Sequence, residues 1–400
     1  MRLLKIFLLL IVLPFLAQSQ PGPDGKISIG KVDSILSGTL KEKRYYLVYT
    51  PPSYDNSIYL PKKYPVLYLL DGEAHFHSVT GLLQYLSTGI NGNYVIPEMI
   101  VIGIPNTDRT RDLTPTHIDK GFDGKVQPFL RTSGGNDNFF KFLKSELIPH
   151  IDSNYHTSSY RMLVGHSFGG ITAINALYTI PETFNSYISI DPSLWYDNQV
   201  LLKKAKNYFS KANLKNKSLY VGQANTVNAG DTTRNLHFES IIQFNGIMET
   251  FNQSGLRYKY KYYSDDDHGS SPLIAEYDGL RFIFDGYKMN FGQAQNLTAI
   301  KDHYKTFSAQ QGAEFLPPEE IINNLGYQAL QSGDTTKALE LFQMNVDMYP
   351  KSYNVWDSMA EGLMDKGDFK KAIEYYEKSL ALNPNNQNGK DMIKKMKEKK

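Results

Sequence analysis

The chain has no cysteine and only two tryptophans among 400 residues. The first absence excludes disulfides, thiolate zinc sites and a cysteine nucleophile together. An excess of one charge is also missing, since 43 Lys+Arg against 41 Asp+Glu leaves a net charge of +2. A chain so nearly neutral lacks the concentrated positive field that nucleic-acid binding draws on. Bilayer-spanning apolar runs of about 20 residues are absent too; the run from Ile6 to Leu16 is roughly half that length and is broken by Pro14. What remains is 41% hydrophobic and 21% charged residues, the balance of a chain that buries a real core. Its length predicts two or three domains. The aromatic fraction of 13%, with 28 Tyr, is compatible with carbohydrate or aromatic ligands.

Residues 1–19 read as an address. Arg2 and Lys5 precede the apolar run, and Ala17-Gln18-Ser19 supplies the small-x-small pattern of a cleavage site. With no cysteine there for a lipid anchor and no transmembrane segment, the expectation is an exported protein, periplasmic or secreted.

From about residue 24 to 291, short β-rich runs alternate with helical stretches. Lys43–Pro51, Pro65–Leu70, Met99–Ile104, Arg161–Val164, Ser186–Ile190, Ser218–Val221 and Tyr258–Tyr263 read as strands. Runs apolar on both faces belong to strands covered on both sides, as in a parallel sheet. Helical segments such as Phe139–Ile151 and Ile171–Leu177 lie between them, so the expected fold is α/β, a doubly wound, mostly parallel sheet. The last 80 or so residues differ. Gly333-Asp334 recurs as Gly367-Asp368, Lys337-Ala338 as Lys371-Ala372, Glu340 as Glu374, and Pro350 as Pro384. Phe342 and Tyr376 correspond at the same 34-residue spacing, the period of the tetratricopeptide helix-turn-helix repeat. Two repeats and a basic capping helix are expected over 319–400, an all-α unit joined through a connector at 292–318. A pair is short for an independent solenoid and is expected to lean on its neighbour.

The strongest chemical signal is Gly165-His166-Ser167-Phe168-Gly169-Gly170, placed between the strand RMLV and a helical run. A serine on so sharp a strand-to-helix turn needs small neighbours, and it projects above the sheet edge where the helix N-terminus favours negative charge. A serine hydroxyl needs a base, and in this arrangement the partners follow in the order serine, acid, histidine. Beyond Ser167 stand His237, His268 and His303. His268 follows the last strand in a loop and is the expected base; His237 reads as a helix surface or packing residue, and His303 falls in the connector. For the acid, Asp231 stands in the expected interval but equally suits a helix N-cap. Asp191 and Glu239 compete with it, and a serine-histidine dyad stays open. Oxyanion donors are expected from the N–H of Phe168 and from Gly72 and Glu73, just past the first long buried strand.

Four motifs, LYLLDGEAHF at Leu67–Phe76, MIVIGIPNTDRTRDLTPT at Met99–Thr116, GHSFGG, and DPSLWYDN at Asp191–Asn198, resemble the esterase D-like branch of the α/β-hydrolases. That branch includes siderophore esterases, feruloyl and acetyl-xylan esterases, S-formylglutathione hydrolases and mycolyl transferases. The resemblance covers about Ile27–Tyr287 and implies an α/β-hydrolase fold. It implies Ser167 as nucleophile, His268 as base, and an oxyanion hole from Phe168 and the Gly72-Glu73 segment. The acid does not carry over from it. Asp191 stands where the related form SPSLWW has serine, which strengthens it as a competitor.

Arg109 and Arg111 are candidates to fork onto an anionic substrate group, or else to pair internally with Asp108 or Asp112. Trp195 and Tyr196 are candidates to stack on an aromatic or sugar ring, or to pack in the core. His75 and His77, with Glu73 nearby, do not make a metal site. Serine chemistry needs no metal, and neither a phosphate loop nor a dinucleotide fingerprint is present, so no cofactor is expected. The expected function is an exported serine carboxylic-ester hydrolase acting on a small-molecule or polysaccharide-linked ester. The alternatives are an acyltransferase through the same intermediate, and a non-catalytic binding protein whose repeats recruit a protein partner.

Overall fold

Wherever a strand of this chain is buried on both sides, its alternate side chains enter two different cores. The computed structural model describes residues 25–56, 58–59, 62–88, 93–121, 124–227, 235–250, 254–290, 292 and 296–398. The expected signal segment, 1–19, and Asp231 lie outside the described residues. Eight strands form one sheet: β1 (Lys31–Ser37), β2 (Glu42–Tyr49), β3 (Tyr64–Leu70), β4 (Ile100–Ile104), β5 (Thr157–His166), β6 (Ser186–Ile190), β7 (Ser218–Ala224) and β8 (Arg257–Tyr263). Their spatial order is β1-β2-β4-β3-β5-β6-β7-β8. The pairs β1–β2 and β2–β4 are antiparallel, and all others are parallel.

β3, β4, β6 and β7 are buried at every residue. On β3, Tyr68 and Leu70 enter one core while Leu67 and Leu69 enter the other, as the two-residue period of a strand requires. The first core is closed by α3 (Asn136–Phe142), α4 (Ile148–Asn154), α5 (Phe168–Thr179), α6 (Tyr196–Phe209) and α7 (Leu236–Thr250). The second is closed by α1 (Gly72–Ser87) and α8 (Ser271–Ile283). A four-residue helix, α2 (Arg109–Asp112), follows β4. The edge strand β1 is absent from the sequence expectation because most of its residues are exposed or half-buried, leaving no buried run to read.

The C-terminal region is all helical: α9 (Leu297–Gln311), α10 (Glu319–Gln331), α11 (Thr335–Met348), α12 (Tyr353–Asp365), α13 (Phe369–Leu382) and α14 (Gln387–Glu398). The 34-residue repeat is visible in its caps. Asp334 accepts the Lys337 N–H at 3.0 Å, and Asp368 accepts that of Lys371 at 3.2 Å. The preceding Gly333 and Gly367 take φ of +84° and +85°, turning the chain between paired helices. A Cβ on Gly326 would collide with the Phe342 ring, so α10 and α11 approach closely only with glycine there.

The segment expected as a connector carries α9. Ile300, Tyr304 and Phe307 of that helix are buried in the second core, continuous with Tyr287 and Phe315. The Gln311 side chain, 1% exposed, donates to the Ile283 carbonyl at 2.7 Å and accepts the Tyr160 hydroxyl of β5 at 3.0 Å. The repeats thus lean on the sheet through a shared core. No helix among the described residues is long and apolar enough to cross a membrane.

Candidate active site

Three consecutive strands of the sheet end in the same unusual way. Asp71 after β3, Ser167 after β5 and Asp191 after β6 have φ of 51°, 60° and 38°. Left-handed backbone is disfavoured for residues with a Cβ and is held only where surroundings impose it. At Ser167 the constraint is visible. Its N–H donates to the Ile190 carbonyl at 2.9 Å, and its own carbonyl accepts the Ser193 N–H at 3.2 Å. A Cβ on Gly165 would overlap the Gly169 backbone, so glycine at 165 is what lets strand and helix cross at this bend.

The fully buried Asp191 carboxylate is the hub of the site. Its Oδ1 accepts the Ala224 N–H at 2.9 Å. Its Oδ2 meets His268 Nδ1 at 2.5 Å and His237 Nε2 at 2.8 Å. Burial alone would push this carboxyl up; the bonds from His237 and His268, with that from Ala224, outweigh it and hold the group well below the usual carboxylate range. Asp191, a competing acid in the sequence reading, is therefore the carboxylate on His268 among the described residues. Glu239 lies on α7, and His303 Nε2 lies 3.2 Å from the Tyr287 carbonyl in the helical connector.

His268 lies in the loop between β8 and α8, with its side chain 43% exposed. Its ring packs against His166 at 4.4 Å between centroids, and His166 in turn meets His75 edge-on at 5.8 Å. Burial, with the neighbouring His268 and His75, lowers the His166 pKa to about 4, so this ring is neutral. His75, on α1, pairs with the buried Glu276 at 2.9 Å, whereas His77 is exposed on the same helix. The Ser167 hydroxyl lies 3.2 Å from Ser193 Oγ. No hydrogen bond joins Ser167 to His268 among the described residues. His237, Ser193 and His166 are the site residues that sequence reasoning missed. The one signal for Ser193 is its place within the DPSLWYDN motif, two residues past Asp191.

Both expected sources of oxyanion donors sit at helix starts. Phe168 opens α5, and Gly72 and Glu73 open α1. The first N–H groups of a helix have no intrahelical acceptor, so these donors are available to a ligand. A Cβ on Gly72 would press on the Gly103 and Ile104 backbone, which accounts for glycine where α1 begins against β4.

Arg109 is engaged within the protein. Its Nε and Nη2 meet the two Asp71 oxygens at 2.6 and 3.0 Å, Nη2 also reaches the His166 carbonyl at 3.2 Å, and the guanidinium lies over the Phe168 ring at 5.4 Å. It ties the turn after β3 to the turn after β5. Arg111 donates to Glu42 at 2.6 Å and to Asp112 at 2.7 Å. Asn106 bonds Asp71 at 2.6 Å and Glu73 at 2.7 Å. Trp195 is half-buried, 6.3 Å from the Phe168 ring, and faces a cavity of about 510 Å³ lined also by His117, Asp119, Asp197 and Leu236.

The family model Esterase matches residues 37–270, more than half of the chain, and the model Tetratricopeptide repeat matches residues 353–386. The chain is similar to a crystal structure of an IroE-like serine hydrolase from Shewanella oneidensis, 32% identical with a TM-score of 0.71 over 80% of this chain and 99% of that one. It is 27% identical over 276 residues to the ferri-bacillibactin esterase BesA of Bacillus subtilis, covering 64% of this chain and 91% of that protein. A siderophore enterobactin esterase of Emericella nidulans is 33% identical over 164 residues, 37% of this chain and 52% of that protein.

Proposed function

The chain belongs to the Esterase family, and from that premise we propose that it is an exported serine carboxylic-ester hydrolase acting on siderophore-type esters. The observation that carries the serine mechanism is the left-handed turn at Ser167, whose N–H is bonded to the Ile190 carbonyl, with the residue after Ile190, Asp191, a buried carboxylate that anchors the His268 imidazole.

The reaction can be built from the atoms present. His268 keeps its Nδ1–H on Asp191, which leaves the Nε2 lone pair to take the Ser167 proton. The His268–Ser167 hydrogen bond forms in the substrate complex, where catalytic hydrogen bonds tighten. Ser167 Oγ attacks the ester carbonyl, and the developing oxyanion is held by the N–H groups of Phe168 and of Gly72 or Glu73, each donor worth about 3 kcal/mol. His268 passes its proton to the leaving alkoxide. It then takes a proton from water as the water oxygen attacks the acyl-enzyme carbonyl, and returns that proton to Ser167 Oγ as the acyl–oxygen bond breaks and the acid leaves. Asp191 stays ionised throughout and stabilises the imidazolium.

The siderophore class is supported by the names of the relatives, a ferri-bacillibactin esterase and a siderophore enterobactin esterase. Export is supported by the basic, apolar and small-residue pattern of segment 1–19. The test is labelling with a fluorophosphonate and then peptide mass mapping, together with hydrolysis of ferric and iron-free catecholate trilactones. An adduct on Ser167 and release of linear products are expected. A folded chain that takes up no probe at Ser167 overturns the serine mechanism.

A further inference from the structure

We propose that Asp191, His237 and His268 form an inhibitory site for a nitrogen-seeking divalent transition-metal ion such as Zn²⁺. The proposal rests on the serine-hydrolase reading above, because the metal would act on that reaction's base. His237 has no role in the acyl-transfer steps, yet it shares one carboxylate oxygen with His268. Asp191 Oδ2, His237 Nε2 and His268 Nδ1 all lie within 4.8 Å of one another. Two imidazole nitrogens and a carboxylate oxygen suit Zn²⁺, Co²⁺ or Ni²⁺ and not the oxygen-seeking Mg²⁺ or Ca²⁺.

The parts around the cluster permit the small expansion a metal needs. The nitrogens now sit at hydrogen-bond distance, 2.5 and 2.8 Å from Oδ2. Ligand bonds of about 2.0–2.2 Å set those pairs somewhat further apart. Asp191 is the fixed member, buried in an anionic state with its other oxygen on the Ala224 N–H at 2.9 Å. His268 is the adjustable one, carried on an exposed loop. A carboxylate whose second oxygen is already bonded is the kind of oriented ligand that metal sites use.

The inhibition comes from where the protons must sit. Without metal, His268 Nδ1 and His237 Nε2 each direct an N–H at Asp191. A metal in their place needs the lone pair of each nitrogen, so each neutral ring moves its proton to its far nitrogen. For His237 that is Nδ1. For His268 it is Nε2, the nitrogen that must accept the Ser167 proton. No proton is gained or lost overall, but the base then faces the serine with an N–H instead of a lone pair.

The test uses the untagged full chain. Titration of wild type with Co²⁺ is expected to give a ligand-field absorption spectrum saturating at one equivalent and displaced by Zn²⁺. The same titration of Ser167→Ala, which has no esterase activity to lose, is expected to give the same spectrum; this reads the site independently of the serine mechanism. Zn²⁺ is expected to inhibit ester hydrolysis reversibly while Mg²⁺ and Ca²⁺ do not. His237→Gln is expected to raise the Zn²⁺ inhibition constant at least about tenfold, since loss of outer-shell partners alone costs 10–100-fold in affinity. Absence of the one-equivalent Co²⁺ spectrum in wild type overturns the proposal, and so does Zn²⁺ inhibition that His237→Gln leaves unchanged. A persistent Co²⁺ spectrum in a chain whose Ser167 takes no fluorophosphonate would overturn the serine mechanism and the inhibitory role while leaving the metal cluster standing.

Discussion

The two ends of the sheet are held by different means. At the C-terminal ends of β3, β5 and β6, three residues with side chains sit in left-handed backbone, secured by short polar contacts such as Arg109–Asp71 and His268–Asp191. Each such residue costs on the order of 1–3 kcal/mol, which the surroundings must supply. At the opposite end, where the helical region docks, cohesion comes from aromatic packing. Phe315 lies against Tyr160 at 5.2 Å and Phe307 at 5.1 Å. That end also buries ionisable groups, including Glu98, paired at 2.5 Å with the half-buried Lys62, and Glu319, 4% exposed. Positive φ also occurs at the docking end, at Tyr94 and Asn216, but there interlocked side chains carry the contact, whereas at the other end three adjacent strands turn on left-handed residues that hold the candidate chemistry.

If that contrast holds, substitutions at the strained end change turnover far more than folding, and substitutions at the docking end do the reverse. The largest effect is expected from Ser167→Ala, a fall in kcat of at least about a thousandfold with an unchanged melting temperature. Asp191→Asn is expected to lower kcat by about 10²–10⁴-fold, because it withdraws the acceptor that fixes the His268 tautomer. It should cost more than Asp231→Asn, and steady-state kinetics of the pair would decide the acid. Next come two glycines. Gly165→Ala forces a Cβ into the Gly169 backbone; about 1–3 kcal/mol of lost stability is expected, with turnover falling alongside. Gly333→Ala meets open space but keeps φ +84°; about 1 kcal/mol is expected, with turnover retained.

The smallest effect concerns pH. Burial raises the Glu319 carboxyl from 4.5 to about 7, only partly offset by bonds from Ser352 and Asn354. The fold therefore favours the protonated form, so the stabilisation is complete below about 4.5 and lost as pH rises through about 7. The melting temperature of wild type minus that of Glu319→Gln is expected to fall between pH 5 and pH 8. A constant difference would contradict this assignment.

Much of the fold was legible because burial writes itself into the strands. YPVLYLL and SYISI can only be strands covered on both faces, and the Gly-His-Ser-Phe-Gly bend needs little more than its flanking runs. The 34-residue spacing announces the repeats even without their contacts. β1 was not legible, since an exposed edge carries no apolar run. Nor was α9, whose Lys301, Asp302, Lys305 and Thr306 face outward while Ile300, Tyr304 and Phe307 recur at helical spacing beneath them. The acid resisted for a different reason. Chain order places both Asp191 and Asp231 between serine and histidine; what brings Asp191 to His268 is the adjacency of β6, β7 and β8 in space, while Asp231 lies outside the described residues. His237 looked like a helix surface residue because nothing in the linear sequence relates α7 to the turn after β6.

Gln311 carries a consequence for how this protein tolerates being cut. Its amide serves the Tyr160 phenol and the Ile283 carbonyl in a place closed to water. A protease that nicked the chain near residue 292 and released the C-terminal helices would strip both groups of that amide and uncover the aromatic face beneath it. The shortened protein would inherit a greasy, poorly hydrated scar on the very strand that leads into Ser167, and would clump before it could serve as a minimal enzyme.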